Sequence, residues 1–326
     1  MIRFTTVRDL YRQLYKPQRL PGRSPRTDES HVGTLNQLTK CFKCDLPINE
    51  LDDEHVAEFV EWLLDKGFSP ATVNKHLRNL RALAKFAVRK KQLDEPFDIA
   101  DLPVDEDDPE CWSIDEVSRI LGATLLVDGF YGTLPQSLFW ECLVLLLLDC
   151  GPRIGIFMAT RLADVDLDKR LLRIRPKGQR GGVNVRQKQR RGQTLPFSQQ
   201  TADRLRVLMA FDPNREMLFP WEFDRNSHCL QTLRRHYTKK ILRVAGLATD
   251  GDCKFHKLRR TTGTYVTLAM GIEAAQRLLG HSSKRVTAQS YIDPSKTHPD
   301  VAPPTPACDA IPRPQYAVDR QMVLFS

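Results

Sequence analysis

The chain has 326 residues, enough for roughly two domains at about 150 residues each. With 41% apolar and 27% charged residues and a mean hydropathy of −0.40, it excludes a largely disordered polypeptide. The net charge of +9 is uneven: residues 1–110 hold 17 Lys and Arg against 20 Asp and Glu, whereas 111–326 hold 32 against 20, and this excess favours a polyanion, nucleic acid above all.

The longest apolar run, Cys142 to Leu148, is far shorter than the roughly 20 residues that cross a bilayer, so no membrane partner is expected. The first residues, Met-Ile-Arg-Phe-Thr-Thr-Val-Arg-Asp, lack the apolar stretch of a secretory signal, and a cytoplasmic, nucleoid-associated location is expected. Eight scattered cysteines do not form a disulfide framework, and Cys41-Phe-Lys-Cys44 has no second pair to complete a zinc site, so it reads as two helix residues.

From Thr6 to about Ala100 the pattern is helical. The stretch Asp53–Lys66 is acidic at its start and apolar at Val56, Phe59, Val60 and Leu63. A helix from Ser69, an N-cap followed by Pro70, should run to about Lys91 with Val73, Leu77, Leu80, Ala84, Ala87 and Val88 on its apolar side. Lys75, Arg78, Arg81, Lys85 and Arg89 line its other side at steps of three and four, a candidate DNA-binding face. The acidic, Pro-flanked stretch Asp101–Pro109 marks a boundary, giving a helical domain over 1–105 and a linker over 106–112. A second domain spans 113–299, opening on a Ser113/Glu116 capping box.

Within it Ser137–Asp149 is apolar nearly all round, as a buried helix should be. Leu171–Arg175 and Thr194–Phe197 predict a two- or three-stranded sheet with a long cationic hairpin between, carrying Arg175, Lys177, Arg180, Arg186, Lys188, Arg190 and Arg191. Helices are predicted at Thr201–Ala210, His228–Ala245, after His256, and at Glu273–Leu279, where Gly280 suits the position past the end. The Pro-rich tail, 300–326, cannot hold regular structure until Tyr316–Phe325, a candidate docking segment for another copy of the chain.

The informative cluster is Phe255-His256-Lys257-Leu258-Arg259-Arg260, then Leu279-Gly280-His281, then Tyr291. Arg binds phosphate oxygens through a rigid fork, His moves protons, and Tyr can be a nucleophile, so together they suit phosphoryl transfer. No phosphate-binding glycine loop and no acidic pair for magnesium accompanies them, so no cofactor is expected.

These residues resemble the tyrosine recombinase, or phage integrase, family. The order is Arg153 in Cys150-Gly-Pro-Arg-Ile-Gly-Ile-Phe, a hairpin Lys, His256-x-x-Arg259, Leu279-Gly-His281-Ser-Ser, and Gln289-Ser-Tyr291. The resemblance implies a mainly α protein: a helical SAM-like core-binding domain, and a mostly helical catalytic domain with a small antiparallel sheet, closing as a C-shaped DNA clamp. It further implies a site-specific recombinase with Tyr291 as nucleophile and a 3′-phosphotyrosyl intermediate, with Arg153, Arg259, His256 and His281 on the phosphate. A hairpin lysine would be the acid, Lys177 counting from Arg153 or Lys188 counting back from Pro196, with Lys188 slightly favoured. Lys257 and Arg260 join the candidate DNA contacts. The implied partners are double-stranded DNA and a homotetramer on two sites; an accessory DNA-bending or directionality protein stays open. Three departures stand out: Ile156 occupies a position that is commonly acidic, the spacing from His281 to Tyr291 is one residue longer than usual, and the hairpin is longer than usual, which leaves the two lysine candidates. A type IB topoisomerase-like enzyme and a DNA-binding protein with decayed catalysis are the rival readings.

Overall fold

The computed structural model describes residues 5–105, 108–176, 192–220, 229–249, 254–281 and 283–296, and the chain divides into two compact units, Met1–Asp107 and Asp108–Ser326. The first unit is helical. Helix α1 (Val7–Leu10) passes through a π turn into α2 (Lys16–Arg19), and α3 (Pro25–Phe42), α4 (Asp53–Asp65) and α5 (Pro70–Arg89) follow. The caps explain the starts: the Asp52 carboxylate accepts the His55 N–H, and the Ser69 hydroxyl accepts the Thr72 N–H ahead of Pro70. Leu35, Leu38, Phe59, Leu63, Leu77, Leu80 and Ala84 form the core between these helices. Cys41 lies in α3, but Lys43 turns left-handed at φ 59°, so Cys44 falls outside the helix in which the sequence pattern placed it. Both thiols are free, and no group of three or more metal-ligating side chains exists among the described residues.

On α5, Lys75, Arg78, Lys85 and Arg89 are exposed as a cationic face. Arg81 is used otherwise. It pairs with Asp101 at 2.6 Å and donates to the Ile99 carbonyl, while Asn74 exchanges two 2.8 Å hydrogen bonds with the Leu102 backbone. The chain leaving this unit is thereby pinned along α5.

The second unit begins with α6 (Ile114–Leu125), whose Ser113/Glu116 capping box is formed in both directions. A short hairpin of β1 (Phe130–Tyr131) and β2 (Leu134–Pro135) leads into α7 (Gln136–Cys150), followed by α8 (Ile154–Phe157). Helix α7 is buried on all sides, as its unbroken apolar run requires, and its buried Glu141 is met by Arg204 through Nε and Nη2 at 2.9 and 2.6 Å. Strands β3 (Val165–Asp166), β4 (Leu171–Ile174) and β5 (Gln193–Pro196) form an antiparallel sheet in which Leu172 faces Leu195. Next come α9 (Gln199–Ala210), α10 (Cys229–His236) with a π turn at Tyr237–Leu242, α11 (Lys254–Met270), α12 (Ile272–Leu279) and α13 (Lys284–Tyr291). Helix α7 packs against α6, α9 and α11. Asp149 at its end accepts from the Ser198 N–H, the Ser198 hydroxyl and the Thr201 hydroxyl at 2.6–2.9 Å, joining α7 to the start of α9.

Two residues of the expected linker are core residues. Cys111 and Trp112 are buried; the Cys111 N–H donates to Asp293 and the Trp112 N–H to the Thr261 hydroxyl, at 3.0 and 2.9 Å. No described helix is long and apolar enough to cross a membrane. Lys177, Arg180, Arg186, Lys188, Arg190, Arg191 and the tail 300–326 lie outside the described residues.

Candidate active site

The site is built where α7, α11, α12 and α13 end or meet. Gly151 closes α7 at φ 57°, and a Cβ there would stand 2.8 Å from Leu279 Cδ2 and 3.1 Å from Thr262 Cγ2. Only glycine satisfies both the left-handed backbone and that closeness. The turn sets Arg153 at the N-cap of α8, half-buried and with no ion pair or side-chain hydrogen bond among the described residues. Helix α11 carries His256 and Arg259 three residues apart. Gly280, left-handed at φ 65°, ends α12 and delivers His281. Ser283 caps α13, which brings Tyr291 in as its last residue.

Arg259 is the centre of this arrangement. It is 2% exposed, and its Nη1 donates to the Gly151 carbonyl, while Nη2 donates to the Leu279 carbonyl at 2.7 Å and to His281 Nε2 at 2.8 Å. Among the described residues its Nε makes no hydrogen bond. A buried donor left unmade costs about 1–3 kcal/mol, and such an orphan is tolerated where a ligand completes it. The Tyr291 ring lies between the two imidazoles, with centroids 4.8 Å from His256 and 4.2 Å from His281, and the Arg259 Cζ is 5.0 Å from the ring centroid. With the longer spacing from His281, α13 still places Tyr291 in this cluster.

Burial sets the charge states. It pushes the His256 pKa down to about 4, with Arg259, Arg260, Arg153 and Arg234 adding to the fall, and the His281 pKa to about 4, with Arg259, Arg153 and His256 adding. Burial also lowers Arg259 to about 10, against the attraction of Tyr291, and it stays charged at neutral pH. The site therefore holds neutral imidazoles beside fixed cations, a preorganised environment for an anion.

The same shifts predict a pH dependence. Among the described histidines, His31, His76, His236, His256 and His281 are all held below the ordinary value, and only His55, beside Asp52, is raised. Between about pH 4 and 6.5 the unfolded chain binds protons that the folded one refuses, so stability is full above about pH 6.5 and falls as pH drops toward 4. Urea unfolding at pH 5 and pH 7 is expected to show lower stability at pH 5; equal stability would contradict these shifts.

The departure at Ile156 has a structural counterpart. Ile156 is buried in the apolar core, its N–H donates to the Arg153 carbonyl at 2.8 Å, and no carboxylate supports Arg153 among the described residues. Of the expected DNA contacts in this unit, Lys257 pairs with Glu110 at 2.7 Å and stands 4.2 Å above the Trp112 ring, and Arg260 donates to the Ser290 carbonyl at 3.2 Å. Arg175 is tied to buried Asp164. Sequence reasoning missed Arg234, close enough to His256 to depress its pKa, and the exposed cations Arg235, Lys239 and Arg243. Their signal was the basic run Arg234-Arg235-His-Tyr-Thr-Lys239-Lys240.

Gly263 of α11 supports the position of Tyr291. A Cβ there would meet Leu279 Cδ1 at 3.0 Å and the Tyr291 carbonyl at 3.1 Å, and the neighbouring Thr264 hydroxyl donates to that carbonyl at 3.3 Å. Gly263→Ala is expected to push α13 away and slow DNA cleavage about 10-fold or more, since sub-ångström misplacement of a reacting group is costly. Wild-type cleavage by this variant in a single-turnover assay would show that the contact does not set the geometry.

Residues 115–298 match the model of the phage integrase family, and residues 6–98 match the phage integrase SAM-like domain. The chain belongs to the phage integrase family, the tyrosine recombinases, which makes it an enzyme that cleaves and rejoins DNA strands. It is 27% identical over 256 residues to tyrosine recombinase XerC of Chlamydia pneumoniae, covering 74% of each chain. To tyrosine recombinase XerA of Thermococcus kodakarensis it is 26% identical over 271 residues, covering 82% of this chain and 85% of that one. Its fold is that of a lambda integrase (75–356) dimer bound to a COC′ core site, with TM-score 0.67, 15% identity, and 91% and 98% of the two chains covered. It also matches the Tn1549 transposon integrase in complex with a circular intermediate DNA, with TM-score 0.65, 17% identity, and 87% and 94% covered. Family membership carries site-specific recombination as the activity.

Proposed function

We propose that the enzyme exchanges strands of duplex DNA through a covalent 3′-phosphotyrosyl intermediate on Tyr291. The observation that carries this reading is the packing of Tyr291 between His256 and His281 and beside Arg259. A phenol is a weak nucleophile at neutral pH until its proton leaves. In the proposed step the Tyr291 O–H proton passes to neutral His256 as the oxygen attacks phosphorus and the bond to the 5′ oxygen breaks. Arg153 and Arg259 bind the non-bridging oxygens, where negative charge grows. The hairpin lysine, Lys188 or Lys177, protonates the departing 5′ oxygen. The phosphodiester energy is conserved in the tyrosyl ester, so a second DNA end can reverse the step without ATP.

Relatives bound to DNA, among them a lambda integrase tetramer on a Holliday junction, support a duplex partner and a homotetramer on two sites for this chain. The exposed face of Lys75, Arg78, Lys85 and Arg89 in the first unit, and Arg235, Lys239 and Arg243 in the second, would contact DNA phosphates. A nicked suicide duplex carrying the native flanking DNA tests the reading, with EDTA present. It should yield an SDS-resistant protein–DNA adduct. Tight binding without an adduct would favour decayed catalysis, for which the missing carboxylate at Ile156 is the supporting observation; relaxation of supercoiled DNA without a paired site would favour the topoisomerase reading.

A further inference from the structure

His281 is held from both sides, and the chemistry of its two neighbours fixes which ring nitrogen carries the proton. On one side, Arg259 Nη2 stands 2.8 Å from Nε2. A guanidinium only donates, so Nε2 must accept and carry no hydrogen. On the other side, the Thr287 hydroxyl stands 2.9 Å from Nδ1. With Nε2 bare, the neutral ring has its proton on Nδ1, and Thr287 must accept it; the hydroxyl's own hydrogen has the Ser283 carbonyl at 3.4 Å. Thr287 is fully buried on α13, one turn before Tyr291, so no water replaces it. The backbone of His281 is fixed as well, its N–H donating to the Gln276 carbonyl at 3.1 Å and its carbonyl accepting from the Gln276 side chain at 3.2 Å.

We propose that Thr287 is a positioning residue: by accepting from the Nδ1–H of His281 it locks the ring in the orientation in which Nε2 accepts from Arg259 and holds the guanidinium beside Tyr291. The chain runs from the Ser283 carbonyl through Thr287 and His281 to Arg259, and it spans the helix that carries the nucleophile. Without the hydroxyl, Nδ1–H has no acceptor. Arg259 still keeps Nε2 bare, so a buried Nδ1–H is left unmade, the ring turns to seek another acceptor, and the guanidinium loses one of its anchors. The effect on catalysis rests on the reading of Tyr291 and Arg259 proposed above, whereas the tautomer itself does not.

Two measurements on the full chain separate the cases. The ring-nitrogen shifts of ¹⁵N-histidine-labelled protein should report His281 as the Nδ1–H tautomer with a hydrogen-bonded Nδ1 in wild type and in Thr287→Ser, and a shift of Nδ1 to the unbonded position in Thr287→Val. Single-turnover adduct formation should fall about 10- to 100-fold in Thr287→Val, the range expected when the partner orienting a functional imidazole is removed, with Thr287→Ser restoring most of it. A wild-type His281 found as the Nε2–H tautomer would overturn the proposal even if the valine variant fails to fold. So would a folded Thr287→Val with wild-type ring-nitrogen shifts and rate, or a Thr287→Ser that loses both. No adduct in wild type would instead sink the catalytic reading and leave the tautomer result standing.

Discussion

Tyr291→Phe is expected to bind the recombination site with wild-type affinity and to form no covalent adduct, with single-turnover cleavage down by at least about 10⁴-fold, as when a nucleophile is removed outright. The change deletes one oxygen and keeps the ring. The ring keeps its contacts with His256, His281 and Arg259 and only the phenol oxygen's own interaction with the Arg259 guanidinium is lost, so the packing of α13 around the 6% exposed side chain persists. A melting temperature within a degree or two of wild type, in the same preparation that shows no adduct, would assign the loss to chemistry. Substantial residual adduct would place the nucleophile elsewhere and undo the role given to the cluster.

Arg259 should have the second large effect, and it should be double. Its guanidinium satisfies the buried carbonyls of Gly151 and Leu279 as well as His281 Nε2. Arg259→Ala leaves those acceptors unmade at roughly 1–3 kcal/mol each, and it also removes a cation from the phosphate. Both the melting temperature and cleavage should fall, cleavage by about 10²–10³-fold or more. Arg259→Lys should rescue little, because one ammonium on a flexible stem cannot serve acceptors arranged around a planar fork. Arg153→Ala is the contrast. Arg153 supports no carbonyl and no carboxylate among the described residues, so its loss should slow cleavage and leave the melting temperature nearly unchanged. Equal melting temperatures for Arg259→Ala and wild type would contradict the structural half of this account.

The two arginines also show where the sequence is legible and where it is not. The local rules read well: Ser69 with Pro70, Ser113 with Glu116, the apolar run of α7 and the Gly280 end of α12 each act through residues within a turn or two. The ordered set Arg153, His256, Arg259, His281 and Tyr291 was visible because it recurs in a family, not because spacing brings its members together. Sequence spacing does not show that Arg259 reaches carbonyls 108 and 20 residues away, or that Thr287 caps a chain ending on it. Nor does it separate the uses of like residues. Arg81 and Arg78 stand on one basic face, yet Asp101 and Ile99 engage the first while the second is exposed. Lys257, next to His256, is held by Glu110 and Trp112, and Trp112 itself left the expected linker for the core. Tertiary neighbours decide these roles.

In the proposed reaction Tyr291 becomes covalently joined to DNA. The most direct test is to trap the adduct on a nicked suicide duplex, digest the protein and the DNA, and locate the nucleotide-bearing residue by mass spectrometry. The account predicts a 3′-nucleotide phosphate ester on the peptide containing Tyr291. A phosphodiester on any other residue, or a native DNA site cleaved with no protein-linked nucleotide, would contradict it.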